Sequence, residues 1–589
     1  MGFHDNGREI ARMKEAQLEA GDLEPVRLNL LAQEDGTRRQ QQQQQQQQGQ
    51  QPGANVVRIQ DLAAHASMRA GEYYERIDPH VQTARAHASR IFAPVAKVLA
   101  PAKRAIAPAA AAVAPLVGVL APVASMFRPS FLPKQNTGGH RKLRKTAYLD
   151  GIRGFAALMV YCLHHQLWAH AFYDGSPALE NTFGYNGTYY FAALPFIRTF
   201  FSGGHFSVSC FLVLSGYVLS VKPLQLIRQG EYVPLGDNVS ASLFKRWLRL
   251  YIPIIVVSFM VMCTPHFFGI HMSFEPQKSW KDEVWKWYCD CKNMFFIWDT
   301  GNRVINDYHP HIWTIPVEFK GSITIYTALM AVSRMTRDGR LIALCVLWYY
   351  FMYITDGSYY CMFVSGMILC DLELRAAEGT LPRWMKSLEP YKNMIFYTLF
   401  TVAILLGGIP SHSIEVSLLK SSPGWYYLAW MKPQAVFDFR WFFLHWAAVS
   451  LVASVPHIQW AKKFFETRFC QHLGRISFML YLMHGPVLWV LGDRLYCAVG
   501  WTIPGHHILL MPWWVGRFPL PKWGPKGLEL SFILCQMILL PVTMWVAEVM
   551  TIVVDDSAIK FTAWLYSLFL PEKPSTKAVT TQSEEKTSS

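Results

Sequence analysis

Arg153 and His164, with ten residues between them, lie inside an apolar stretch at 151–173. Eleven helical steps make almost three whole turns, so both side chains share one face, about 16 Å apart along the axis. The arginine then sits near a membrane surface and the histidine deep in the bilayer. An ionisable side chain at that depth is costly and marks a functional-site candidate by default. The plainer alternative is a buried histidine hydrogen-bonded to a neighbouring helix. His165 follows directly, but it lies about 100° further round the helix, off the Arg153 face, so His164 is the candidate.

The elements that must hold this pair are membrane helices. Of 589 residues, 52% are hydrophobic and only 16% charged, against about 25% charged in soluble domains. Apolar stretches near the required length of about twenty residues recur at 151–172, 204–222, 248–266, 312–333, 340–355, 357–373, 393–409, 437–456, 474–492 and 529–553. The expected fold is therefore all-α: a polytopic transmembrane bundle of about ten spans, residues 148–570, preceded by a largely disordered cytosolic extension at 1–147 and followed by a short disordered tail at 571–589. The extension carries an uninterrupted glutamine tract at 40–48 and an alanine- and proline-rich stretch at 93–127, compositions with little to bury.

The net charge of +14 raises nucleic-acid binding, but its distribution argues for a membrane. Arg128, Lys134, Arg141, Lys142, Arg144 and Lys145 precede the first span without an intervening acid. Further basic clusters follow alternate spans: Lys222, Arg228, Lys245 and Arg246, then Arg334, Arg337 and Arg340, then Arg375, Arg383, Lys386 and Lys392, then Lys462, Lys463 and Arg468. Positive residues stay in the cytosol, so both termini are expected there, with the lipid bilayer as partner and no nucleic acid. The opening residues have no apolar core of a cleavable signal; the first span is expected to serve. Asn186-Gly187-Thr188 falls on the outer side as a glycosylation acceptor. The eleven cysteines follow no metal-ligand spacing and no metal is expected; Cys289, Cys291 and Cys497 fall in non-cytosolic loops where pairing is open.

Tyr148-Leu149-Asp150-Gly151-Ile152-Arg153-Gly154-Phe155-Ala156-Ala157, with His164-His165 beyond it, closely resembles the opening of the acyltransferase 3 family. Ser209 to Tyr217 resembles that family's second-helix motif, Arg246-Trp247-Leu248-Arg249 its paired arginines, Trp313 to Glu318 its tryptophan-to-glutamate motif, and Leu473 to His484 its late-helix motif. Phe319-Lys320-Gly321-Ser322 and Val553-Val554-Asp555-Asp556 look like the fungal branch. The resemblance covers about 148–570. It implies an integral membrane O-acyltransferase that moves an acyl group, often acetyl, from acyl-CoA to a hydroxyl of a carbohydrate, lipid or secondary metabolite. Acyl-CoA is then a co-substrate, and no cofactor is permanently bound. Many relatives carry a second acid after the glutamate, where this chain has Phe319, so a mechanism needing two adjacent carboxylates is in doubt.

On that reading His164 takes the hydroxyl proton, a role worth about 10²–10⁴-fold in rate. Arg246 and Arg249 grip the donor's phosphates through charge-assisted hydrogen bonds, unless they are ordinary positive-inside flanking. Arg153 joins them or pairs with Asp150 one turn away. Glu318 orients the histidine, binds the acceptor or forms a structural ion pair. Ser477, Tyr481 and His484 form one polar stripe on an apolar helix, lining the site or making an interhelical seam. The rival reading is a multi-pass transporter with His164, Glu318 and His484 along a proton or substrate path.

Overall fold

The computed structural model describes residues 143–171, 181–272, 274–298, 307–411, 414–503 and 506–571, all within one contact unit of the chain. The glutamine tract, the alanine- and proline-rich stretch and the tail beyond 571 lie outside the described residues. No strand occurs among the described residues. In chain order the principal helices are α1 (Ala147–Gln166), α2 (Gly204–Gln229), α3 (Tyr232–Phe268), α4 (Trp280–Phe295), α5 (Thr314–Val332), α6 (Arg337–Tyr349), α7 (Ser358–Ala377), α8 (Lys392–Gly407), α9 (Phe439–Ser454), α10 (Arg468–Val487), α11 (Asp493–Val499), α12 (Leu530–Met550) and α13 (Asp556–Leu568).

Four continuous helical stretches among the described residues are long and apolar enough to cross a membrane: Gly204–Gln229, Tyr232–Phe268, Arg468–Val499 and Leu530–Leu568. A fifth arises if Phe439–His457 and Gln459–Phe465, bent by 101°, count as one. The expected ten is not reached, for two physical reasons. Helices α6, α8 and α9 are only 13, 16 and 16 residues long. Others spend apolar positions on chemistry: Asp371, Glu373 and Arg375 lie on α7, and Glu318 and Lys320 on α5.

Helix α10 is central and α12 peripheral. The apolar window of Arg468–Val499 is 83% buried by protein, that of Leu530–Leu568 only 28%. Met537, Ile538, Phe561 and Trp564 are exposed there, a surface suited to lipid rather than water.

A close crossing joins α10 to α1. A Cβ on Gly154 would lie 2.2 Å from the Gly474 backbone nitrogen, and one on Gly474 would lie 2.4 Å from the Asp150 carbonyl oxygen. Small residues at such a crossing let backbones approach where apolar burial supplies no driving force. The two glycines belong to the opening and late-helix motifs, so their spacing brings both motifs face to face.

Two of these helices end in π turns: α1 continues into Leu167–Ala171 and α10 into Leu488–Gly492. Such turns concentrate at functional sites, and His164 and His484 each sit within a turn of one.

On the side away from the arginine motif, α4 anchors the lead-in to α5. Ser279 Oγ caps α4 by accepting from the Asp282 N–H, as an N-cap serine does. Burial would raise the Glu283 carboxyl, but hydrogen bonds from Tyr308, His266 and the Gln277 N–H outweigh it and hold it below the usual range. Tyr308 is thereby fixed just ahead of His309 and His311. For Asp290, burial and the Asp307 charge outweigh Lys286 and the Asp307 N–H and push its carboxyl up to about 6.

All eleven cysteines are free thiols, so Cys289, Cys291 and Cys497 do not pair; Cys291 is buried against Ser258 instead. Asn186 is fully buried, at φ 49°, with neither amide atom hydrogen-bonded. Its sequon is intact, and the folded turn encloses the acceptor nitrogen, so a glycan there would need the turn to open.

Candidate active site

Two clusters define the site, one of imidazoles inside the bundle and one of partly exposed guanidiniums at its end. His164 lies inside the bundle, its ring centroid 4.1 Å from that of His311 and 4.8 Å from that of His484. His311 and His484 are 4.7 Å apart. The three histidines come from α1, the 3₁₀ turn Pro310–Trp313 and α10.

Backbone carbonyls set two of the rings. His164 Nδ1–H donates to the Val160 carbonyl at 2.9 Å, and His484 Nδ1–H donates to the Tyr481 carbonyl at 2.6 Å. A carbonyl only accepts, so each Nδ1 carries the proton and each Nε2 keeps its lone pair. His311 is placed differently. Its backbone carbonyl accepts from Tyr481 Oη at 2.6 Å, while that hydroxyl also meets Thr314 Oγ1 at 2.8 Å. Its ring stacks on Trp489 and abuts Gly485, where a Cβ would stand 2.6 Å from Nδ1.

His165 goes elsewhere. Its Nδ1 meets Tyr496 Oη at 2.7 Å, and Tyr496 accepts from Gln536, whose carbonyl accepts from Tyr161. The 100° between adjacent helical residues separates a clustered imidazole from one held in a structural chain.

The guanidinium cluster lies toward the start of α1. Arg153 donates to Asp150 at 3.1 Å, to Ser477 Oγ at 3.2 Å and to the Gly474 carbonyl at 3.2 Å. It therefore takes the Asp150 pairing and also bolts α1 to α10. Arg246 is ion-paired with Glu318 and donates to Ser322, and Ser215 donates to the same Glu318 oxygen. Arg249 lies in the field of Asp555, Arg246 and Arg153. Three arginines thus converge on one end of the site, with Asp555, Glu318 and Asp150 among them.

The stripe on α10 divides its labour: Ser477 receives Arg153, Tyr481 holds the His311 backbone and His484 joins the imidazoles. Glu318 hydrogen-bonds Arg246 and Ser215 and no imidazole among the described residues. Seven residues separate it from His311, about 10 Å along the chain direction, so it belongs to the arginine level.

His311 is missing from the sequence reading. Its signal was present, two residues ahead of the Trp313-to-Glu318 motif, but it precedes the apolar stretch and so reads as loop. Ser215, Ser322 and Asp555 were visible only as motif members, because their partners lie on other helices.

A family profile described as "Acyltransferase domain" matches residues 146–518. The chain belongs to this family. Its relatives include an O-acetyltransferase, PaAT-1, of Phomopsis amygdali, 30% identical over 63% of this chain and 77% of the relative. Acyltransferase R4 of a Phoma species is 23% identical, and acyltransferase clz18 of Cochliobolus lunatus 24%, each over 62% of this chain and 87% of the relative. No solved structure matches the chain. The protein is thus a membrane acyltransferase, acting on an acyl donor and a hydroxyl acceptor, and the transporter reading loses its support.

Proposed function

We propose that this acyltransferase moves an acetyl group from acetyl-CoA to a hydroxyl of a lipid, carbohydrate or secondary metabolite, with His164 as general base. One observation carries the reading: Val160 holds the Nδ1 proton of His164, which leaves Nε2 free to accept the hydroxyl proton as the oxygen attacks the thioester carbonyl. The helix that carries this nitrogen also carries Arg153 about 16 Å away, bolted to α10. Extended pantetheine-like chains cover such a distance, so the donor's nucleotide rests at the arginine end and its thioester reaches the imidazoles.

Arg249 is the guanidinium freest to meet phosphate, since Arg246 and Arg153 already hold carboxylates. Glu318 orients Arg246 rather than the imidazole, which removes any need for a second acid at Phe319. Acetyl specificity is supported by the O-acetyltransferase among the relatives. The catalytic unit is 148–570, with cytosolic flanks and the arginine end on the cytosolic side. The polar-faced helices α1, α5, α7 and α9 cross the membrane shielded by α3 and α12.

The test is CoA release by purified protein supplied with acetyl-CoA and a panel of hydroxyl acceptors. His164→Ala is expected to lower turnover by about 10²–10⁴-fold with unchanged thermal stability. A variant turning over within threefold of the parent overturns the assignment.

A further inference from the structure

The three imidazoles present a donor–acceptor imbalance. His164 and His484 both direct their single ring proton outward to a backbone carbonyl. Their Nε2 lone pairs are left for the interior. His484 is fully buried and its Nε2 has no partner; the buried Nδ1 of His311 has none either. A neutral imidazole carries one N–H, so His311 can satisfy one of the two lone pairs at most. One nitrogen from each ring lies within 4.8 Å of the others.

We infer that His164, His311 and His484 form a binding site for one divalent transition-metal cation of the zinc class. Three neutral imidazoles with a fourth position open is an established donor set for Zn²⁺, at Zn–N distances of about 2.0–2.1 Å, and imidazole nitrogen favours such cations over Mg²⁺ or Ca²⁺. Tetrahedral coordination places ligand nitrogens about 3.3 Å apart, so the rings close by about 1.5 Å on loading. The outward Nδ1–H bonds are the supporting partners a metal-binding histidine requires. Tyr481 adds a third support by pinning the backbone of His311.

A second cluster gives the contrast. Asp493, His506 and His507 also place ligand atoms close together. There His507 Nε2 meets the carboxylate at 2.6 Å, its Nδ1 accepts the Ile503 N–H, and His506 meets the second oxygen at 3.2 Å. That cluster is internally satisfied and needs no cation.

One nitrogen cannot hold a metal and take a proton at once. The metal-loaded protein is therefore idle in transfer through His164, and metal occupancy is an off state. This consequence rests on the general-base reading; the site itself does not.

The probe is Co²⁺ added to purified, chelator-stripped protein in detergent. Binding of one Co²⁺ per chain with a visible tetrahedral d–d band is expected. His484→Gln and His311→Gln should each weaken it at least about tenfold, while His507→Gln binds as the parent does; size-exclusion profiles establish that each variant is folded. No band in the parent, or a band unchanged in both variants, overturns the site. Co²⁺ or Zn²⁺ should also inhibit CoA release, with chelator restoring it. Activation by the metal would leave the site standing and overturn the off state together with His164 as base.

Discussion

Gly474→Ala tests whether the α1–α10 crossing aligns the two clusters. The added Cβ would stand 2.4 Å from the Asp150 carbonyl oxygen and 2.9 Å from its carbon. These are backbone atoms in the first turn of α1 and cannot swing aside as a side chain would, so the helices must part by about 1 Å to reach ordinary contact. Overpacking of this kind costs about 1–3 kcal/mol. The separation also stretches the Arg153 bonds to Ser477 and the Gly474 carbonyl, now 3.2 Å, past hydrogen-bonding range. It moves His484 relative to His164 by a similar amount, and a misplacement of about 1 Å at reacting groups can lower rate about 10²-fold. Thermal unfolding in detergent and CoA release read the two effects. Ser477→Ala is the control: it removes the hydroxyl's two hydrogen bonds, from Arg153 and to the Gly474 carbonyl, each worth about 1 kcal/mol, without parting the helices. A Gly474→Ala protein with parental melting temperature and more than half the parental rate would refute the reasoning.

Arg246→Met leaves the Glu318 carboxylate without its partner and should lower the melting temperature, whereas Arg246→Met with Glu318→Met should recover much of it, because removing both charges avoids a buried unpaired one; a double variant no more stable than the single contradicts this. Arg249→Gln should raise KM for acetyl-CoA about 10–100-fold, the worth of one charge-assisted hydrogen bond, and leave KM unchanged for acetyl-pantetheine, which lacks the nucleotide phosphates. Equal effects on both donors would remove Arg249 from phosphate binding. Asp290, held up to about 6 against an ordinary 3.8, contributes most favourably below the unfolded value, where it is protonated in both states, and that contribution is lost as pH rises through about 6. Asp290→Asn should therefore stabilise the protein at pH 8, with the gap closing toward pH 4; a gap independent of pH would show that the carboxyl is unstrained.

How far the chain could be read in advance differs between its parts. Helical class and membrane character follow from apolar runs and sparse charge, which are local properties. The span count does not, because whether a helix such as α7 meets lipid depends on where Asp371, Glu373 and Arg375 point. Asp371 receives Arg340, Arg375 and Arg228 inside the protein, so the Asp371 and Arg375 charges are hidden by neighbours that no window along the chain reveals. Helical periodicity alone separated His164 from His165, since both lie on one regular helix and their angle is a fixed property of it.

The sequence by itself determined the family, through motifs that are contiguous in the chain, and put Arg153 and His164 on a common face. Only the tertiary structure decided what each functional group touches. It paired Glu318 with Arg246 instead of an imidazole, enclosed Asn186, and brought His311 from an unremarked turn to within reach of His164 and His484. The physical reason is reach. Helix geometry relates residues a few positions apart, whereas a hydrogen bond or ion pair relates residues within about 3 Å in space, and in this bundle its two ends lie as many as 375 residues apart.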